Sequence, residues 1–542
     1  MSTIRQRHGE SAYPRVRHGD RKNSDRSCII EPQYQKATKA TITPYGLSSV
    51  YNDHMHIVAW AHKHVGIILV TLVMLWTSVA VVYHLGTEPL QDYDESTYAQ
   101  VAHEIRTEHH LCSLTYAGNA YVRKPPLLFW FMSASGSVLG ETPFDLRLPS
   151  ALSGIALVAL VILLAFELSG SSILAAFAGA ILATTSPYIE AARQVRMDVL
   201  VTLCIVATVY FFVRAMRAPT QTQQGWFLLF GVAAGLAILA KSVIAAFALV
   251  PVMCIIVLCR QLAVLWNKRL WYGIGATIFV AAPWHIYETV RLGSVFWQQY
   301  IGVEVIARTH TNAFGTVINT NDILLRYFEQ FCQPWLLLSC ISGALLVVGW
   351  STIECQRRAF VVSCIITVTC IATLFFSTAT KAPTYFLPLY PFAALAIALS
   401  IPPIPSRLLR ALLPGVLVCL VLVAAQFTIY NAYHLNPYYA YTVTLAQEES
   451  VVAALINKTP LATPWYAYGD EELGSIKFYT QRLDPLAVSD TSTPTPGSLI
   501  VTYSSAYANF LKEYPTITTT TLYRGRHVTL LRVVQPKEMF RR

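Results

Sequence analysis

The stretch Asp92-Tyr93-Asp94-Glu95-Ser96-Thr97-Tyr98 puts three carboxylates within four positions, about ten residues after the first long apolar run ends. Carboxylates accept protons and bind cations, and charge beside a bilayer is costly to keep there. The grouping therefore points to an ion route or to a catalytic site at the membrane surface. Further charges stand at or near the ends of apolar segments: Lys124 before Pro125-Pro126, Arg193, Arg196 and Asp198 in one short stretch, Lys241, Arg308 and Lys381. Cations of this kind suit an anionic head group.

Composition sets the class of scaffold that must hold these residues. Of 542 residues, 54% are hydrophobic and 13% charged. The mean hydropathy is +0.46, a polytopic membrane protein and not a soluble globule. The net charge of +10 does not indicate nucleic-acid binding, because ten of the 40 Lys and Arg residues lie in the first 64 positions and others fall between apolar runs, which is a topology pattern. Eleven cysteines are scattered, most within apolar segments, with no C-x-x-C pair and no zinc spacing. The polar stretch before residue 65 is too long for a secretory signal, so the first apolar run reads as a signal anchor.

Apolar runs near spanning length fall at about 65–83, 148–168, 172–188, 198–215, 225–240, 243–259, 271–287, 333–350, 359–377, 384–401 and 411–429, eleven in all. The run from Pro126 to Gly140 is short for a span and suits a re-entrant or surface-lying helix. With the basic tail inside and that run not crossing, Arg214, Arg217, Arg260, Lys268, Arg269, Arg357, Arg358, Arg407 and Arg410 all fall in cytoplasmic loops, as positive-inside requires. The same arrangement brings Asp92, Asp94, Lys124, Arg193, Arg196, Asp198, Lys241, Arg308 and Lys381 to the outer face, although none was used to set it. Snorkelling accounts for any one of these cations, less readily for all together.

The expected organisation is a basic, disordered cytoplasmic tail over residues 1–64, within which Met55 is an alternative start, a transmembrane region over 65–429 whose outer loop 84–147 carries the acids, and a small extracytoplasmic α/β domain over 430–542. Ser498–Tyr503 and His527–Val534 have the strand-like character expected in the last of these.

Five strings, DYDESTYAQVAHEI, YVRKPPLLFW, RQVRMDVL, GLAILAKS and TKAPTYFLPLYP, together resemble the bacterial lipid-linked sugar transferases of the GT-C fold, nearest to the lipid A aminoarabinose transferases and the protein O-mannosyltransferases. The resemblance runs from about residue 60 to 400, weakens in the C-terminal region and is absent from the tail. It implies a polyprenyl-phosphate donor in the outer leaflet whose sugar passes, with inversion, to a glycolipid or protein acceptor. Residue by residue, it makes Asp94 the acid at the reacting centre and Asp198 the second acid. Lys124, Arg308 and Lys381 fall at the donor phosphate, and Glu95, Tyr98, Tyr121, Tyr385 and Lys241 line the cavity.

Two departures set this chain apart. Where the aminoarabinose branch has a Glu and a His that help bind zinc, this chain has Arg123 and Val305, so the zinc site is expected to be lost, and Arg123 becomes a further phosphate contact. Glu304, Asp92 and Asp198 leave room for a hard divalent cation without indicating one. In the expected chemistry Asp94 orients or deprotonates the acceptor while Lys124, Arg308 and Lys381 stabilise the departing phosphate.

Each residue also has a plain structural alternative. Asp94-Glu95-Ser96 suits the first turn of a helix. Asp198 suits an ion pair with Arg193 or Arg196, and Lys241 an interfacial anchor. Gly231 and Gly235 need only close helix packing. His109, His110 and His310 are too loosely grouped for a metal, and Trp284 and Trp335 suit an interface belt. The competing function is a transporter with an outer-face anion site. Against it, the charges gather on one face and the hydropathy has no inverted repeat.

Overall fold

The computed structural model describes residues 48–310, 321, 325, 328–329, 332, 334–379, 382–403, 407–433, 437–469, 473–482, 485–488 and 493–534. Helix α1 (Ser48–Val82) carries the first apolar run but begins well before it. Residues 48–64, expected in the disordered tail, are therefore helical; the stretch contains no Pro or Gly and continues straight into the span.

A loop leads to α2 (Asp94–Glu108), a two-stranded hairpin β1 (Thr115–Tyr116) and β2 (Asn119–Ala120), and α3 (Leu127–Leu139). At 13 residues α3 reaches only about 20 Å, too short to cross, in keeping with the reading of Pro126–Gly140. Helix α4 (Pro143–Ser169) opens on a capping box in which Thr142 and Asp145 exchange hydrogen bonds, with Pro143 at the first position. Helices α5 (Ser172–Ala183) and α6 (Ser186–Ala192) meet at a 71° bend. Thr184 and Thr185 turn their hydroxyls onto carbonyls of the preceding turn there.

Helices α7 (Met197–Arg217), α8 (Thr220–Lys241) and α9 (Leu249–Leu258) follow, then α10 (Lys268–Leu292). Helices α8 and α10 approach so closely that a Cβ on Gly231 would lie 1.8 Å from the Gly273 carbonyl oxygen. After α11 (Ser294–Trp297) comes a π-helical stretch, Gln298–Ala307, and the short α12 (Arg308–His310). The bundle continues with α13 (Trp335–Val348), α14 (Cys355–Ser377), α15 (Leu389–Leu399) and α16 (Arg407–Tyr433). Arg357 holds the C-terminal end of α15, donating to the carbonyls of Leu399 (2.8 Å) and Ile401 (2.5 Å).

This is a multi-pass membrane protein. Among the described residues, six helical stretches are long and apolar enough to cross, and a seventh is added if the bent α5–α6 pair counts as one span. Within the described residues the apolar runs lie on helical segments, those at 243–259 and 384–401 partly on 3₁₀ turns, but α13 and α15, with 14 and 11 residues, are shorter than a bilayer core, and Thr220–Leu258 counts as one stretch. Length alone therefore does not reach eleven.

Beyond α17 (Pro437–Asn457) the chain builds a five-stranded mixed sheet from β3 (Trp465–Tyr468), β4 (Leu486–Ala487), β5 (Leu499–Tyr503), β6 (Thr519–Arg524) and β7 (Val528–Val533), in the order β4-β3-β5-β7-β6. Strand β3 runs parallel to β4 and β5, while β7 is antiparallel to β5 and β6. The two-residue alternation sends Trp465, Leu499, Val501 and Leu530 to the face that packs on Val452 and Ile456 of α17. Tyr466, Ile500 and Leu531 go to the other face, against Phe510 of α19 (Tyr507–Glu513). Between β3 and β4, helix α18 (Gly474–Thr480) rests on α2.

Candidate active site

Helix α2 starts at Asp94, with Asp94 and Glu95 in its first turn, where carboxylates meet the positive end of the helix. The chain enters it through Tyr93 at φ 66°, ψ −110°. That conformation is rare for a residue with a side chain and marks a built feature.

The Asp94 side chain is 48% exposed, and its Oδ2 accepts a hydrogen bond from Arg196 at 2.6 Å. Arg196 is fixed in turn: its amide donates to Ser150 Oγ (3.1 Å) and its Nε to Gln194 Oε1 (3.0 Å). Two residues on, Asp198 in the first turn of α7 receives Lys241 Nζ at 2.5 Å. Lys241 is the last residue of α8, and the helix breaks behind it at Ser242, φ 44°. Its ammonium also lies 5.1 Å from the centroid of the Tyr385 ring, a cation–π contact. The Tyr385 hydroxyl accepts from Arg308 at 2.9 Å. Arg308 and Lys124 grip opposite oxygens of Glu304, which is 6% exposed on the π-helical stretch. Tyr98 and Tyr121 close the apolar side, each edge-on to Phe129 at 5.4 and 5.8 Å.

These contacts join segments more than 200 positions apart into one cluster, and its electrostatics follow. Burial alone would raise the Asp94 pKa, but Arg196, Lys124, Lys241 and Arg308 together hold it below 3.8. Burial lowers the Lys124 pKa, Glu304 opposes that, and Arg308 and Lys241 add to it, leaving the ammonium below 10.5. Burial and the Asp94 charge push the Tyr98 and Tyr121 phenols well above 10.0, so both stay protonated. A half-open, ionised carboxylate ringed by cations can align a hydroxyl, and the cations can take up charge on a phosphate.

Asp94, Asp198, Lys124, Arg308, Lys241, Tyr98, Tyr121 and Tyr385 come together here. Lys381 lies outside the described residues. Arg123 is exposed and acts through space on the Tyr121 phenol.

Glu95, expected to line the cavity, does not. Its side chain is 1% exposed, and Arg147 donates to both oxygens at 2.9 and 2.7 Å. The amides of Gln91 (2.9 Å) and Val195 (2.7 Å) donate to it as well. With four donors and no open face it is an anchor. Arg193 likewise binds the carbonyls of Ala80 and Val81 at the end of α1.

Three residues were not given their parts by the sequence reading: Arg196 as the partner of Asp94, Glu304 as the bridge between Lys124 and Arg308, and Arg147. Asp94 lies 102 positions from Arg196 and Lys124 180 positions from Glu304, beyond any local spacing, although the Glu304–Arg308 half of the bridge is an i,i+4 pair. Among the described residues no three His, Cys, Asp or Glu side chains gather in a metal-holding arrangement, and Glu304 is taken up by two cations. As placed, these described side chains form no donor set for a divalent ion.

The sequence model of the dolichyl-phosphate-mannose-protein mannosyltransferase family matches residues 64–295. Undecaprenyl phosphate-alpha-4-amino-4-deoxy-L-arabinose arabinosyl transferases are similar over a little more than half of the chain. That of Enterobacter sp. (strain 638) is 26% identical over 331 residues, 57% of this chain and 54% of its own length. That of Aeromonas salmonicida is 27% identical over 323 residues, 58% and 57%. The chain thus spans a little over half the length of the curated relatives it matches. In three dimensions, ArnT from Cupriavidus metallidurans bound to undecaprenyl phosphate superposes with a TM-score of 0.66 at 17% identity, covering 87% of this chain and 99% of that one. Its apo form gives 0.64. At that identity the likeness establishes the fold alone, the one shared with that ArnT structure.

Proposed function

We propose that this chain is an integral-membrane glycosyltransferase that takes a sugar from a polyprenyl-phosphate donor and passes it, with inversion, to a glycolipid or protein acceptor at the outer face of the membrane. The observation that carries this reading is Asp94: an ionised, half-open carboxylate with Arg196, Lys124, Lys241 and Arg308 around it. The curated relatives named for undecaprenyl phosphate-linked transfer support the same donor class.

In this mechanism the donor phosphate enters opposite Lys124 and Arg308, which Glu304 holds side by side, with Lys381 and Arg123 as further cations. The anomeric carbon–oxygen bond breaks toward the phosphate, which leaves as the polyprenyl phosphate with its growing charge neutralised. The acceptor oxygen attacks from the opposite face. Asp94 aligns a hydroxyl acceptor there and takes its proton in the transition state. Its depressed pKa makes it a weak base, so orientation and late proton transfer are its main contribution. Asp198 pairs with the Lys241 ammonium and holds it beside the same cleft. Tyr98, Tyr121 and Tyr385 shape the cavity wall.

The topology belongs to the same proposal: eleven crossings, the N-terminal tail in the cytoplasm, and residues from about 430 onward forming a domain on the outer side of the cell membrane. The reading is tested by incubating the purified protein with radiolabelled polyprenyl-phosphate sugars and a membrane extract. The expected result is label in the lipid or glycoprotein fraction, and which fraction carries it identifies the acceptor class. Failure to transfer from any such donor contradicts the proposal and returns the outer-face cluster to an anion-transport role.

A further inference from the structure

Helix α18, part of the C-terminal sheet region, closes on the loop that leads into Asp94. The Ser475 amide donates to Asp92 Oδ1 (3.2 Å), and its hydroxyl donates to the Leu90 carbonyl (3.0 Å). The Leu90 amide donates in return to the Tyr479 hydroxyl at 2.7 Å. The approach is so close that a Cβ on Gly474 would stand 2.5 Å from Ser96 Oγ and 2.8 Å from Asp92 Oδ1. A side chain there would require the Ser96 hydroxyl and the Asp92 carboxylate to move.

The loop is held in two stages. Arg147 takes the carbonyls of Leu85, Glu88 and Pro89. Helix α18 then takes Leu90 and Asp92. The next residue is Tyr93, with its disfavoured positive φ, and the one after it is Asp94. A backbone in such a conformation persists only where its surroundings over-determine it. The two fixings on Leu90 and the one on Asp92 supply that from outside the bundle.

We propose that Ser475 and Tyr479 are positioning residues for Asp94. Through Leu90 and Asp92 the C-terminal region keeps the strained turn at Tyr93 closed, and so keeps the Asp94 carboxylate on Arg196 and aimed into the cleft. The inference rests on the transferase reading above and adds that transfer depends on this joint.

The test uses the full-length protein with Tyr479→Phe, which removes one hydroxyl, and Gly474→Ala, whose methyl group pushes on the Asp92 carboxylate that Ser475 holds. Three quantities are read: turnover with a radiolabelled polyprenyl-phosphate sugar, inhibition by undecaprenyl phosphate, and hydrogen exchange at the Leu90 amide. Turnover is expected to fall about 10-fold in Tyr479→Phe and about 10²-fold in Gly474→Ala, the scale of small misplacements of a reacting group. Inhibition by undecaprenyl phosphate stays within about 2-fold, because the cations are untouched. Exchange at Leu90 accelerates in both. Adding Tyr93→Gly to Tyr479→Phe restores part of the turnover, since glycine holds the turn without strain. Faster Leu90 exchange with undiminished turnover overturns the proposal, as does a loss of turnover matched by an equal loss of undecaprenyl phosphate inhibition. A wild type that transfers nothing instead overturns the transferase reading on which the inference rests.

Discussion

Asp94 and Glu95 are neighbours in sequence and belong to two different regions of the molecule. Glu95 points down into a joint where Arg147 and two amides satisfy it completely, at 1% exposure. Asp94 points into a cleft, 48% exposed, with a single arginine on one oxygen and three further cations acting from a distance. Both regions are built from carboxylate and guanidinium. A carboxylate whose every lone pair is engaged can only hold structure, whereas one left partly open beside a surplus of positive charge can meet a substrate.

The sharpest way to break this contrast is to neutralise the two acids in turn. Glu95→Gln leaves the buried Arg147 guanidinium without its counter-charge, and the expected loss is about 3–5 kcal/mol of stability, read as a large fall in the melting temperature of the detergent-solubilised protein. Asp94→Asn keeps close to the wild-type melting temperature. Equal melting of the two variants would erase the distinction between joint and cleft.

Within the cleft, Lys124→Ala and Arg308→Ala are each expected to lower turnover about 10²-fold to 10³-fold, the scale for removing a donor that stabilises developing charge. Single-turnover rates with bound donor check this. A fall in donor affinity alone, with the chemical step intact, would reduce those residues to uniform binding.

Acidity sharpens the contrast further. The surrounding cations outweigh burial and hold Asp94 below the ordinary carboxylate value, so loss of transfer just below neutral pH is not its doing. Glu95 would be raised by burial, but Arg147 outweighs it and holds its pKa below 4.5. Its stabilisation is therefore present above pH 4.5 and is lost as pH falls through the depressed value, visible as acid unfolding. At the other end, Lys124 loses its proton below the ordinary 10.5, so transfer has an alkaline limb below that value. Lys124→Arg should move the limb upward, and an unmoved limb would assign it to another group. The smallest effect is expected for the exposed Arg123: Arg123→Ala changes turnover by no more than about 3-fold, in line with a solvent-screened charge.

Much of this was legible before any coordinates. The membrane class followed from hydropathy, the apolar runs lie on helical segments within the described residues, and Leu499–Tyr503 and Val528–Val533 lie within stretches read as strands. Helix length differed from run length at both extremes: Ser48–Val82 begins inside the polar tail, and Leu389–Leu399 is shorter than its apolar run. Local pattern reports hydrophobicity, while helix ends are decided by caps and packing. Asp94, Lys124, Asp198, Lys241 and Arg308 stand out by type and position and Tyr385 by the resemblance, and the fold brings them together. Glu95 was misread because nothing local separates it from Asp94. Its partners, Arg147 and Val195, are 52 and 100 positions away. The same distance hid the grip of α18 on Leu90, 389 positions apart.

The central claim is that Asp94 acts in the chemical step and not in holding the fold or the donor. Its most direct test is a single-turnover measurement on folded wild type and Asp94→Asn, each preloaded with radiolabelled polyprenyl-phosphate sugar and mixed with acceptor. The account predicts that Asp94→Asn binds the donor as the wild type does and transfers the sugar about 10²-fold to 10⁴-fold more slowly. Transfer at the wild-type rate by the loaded Asp94→Asn variant would contradict it.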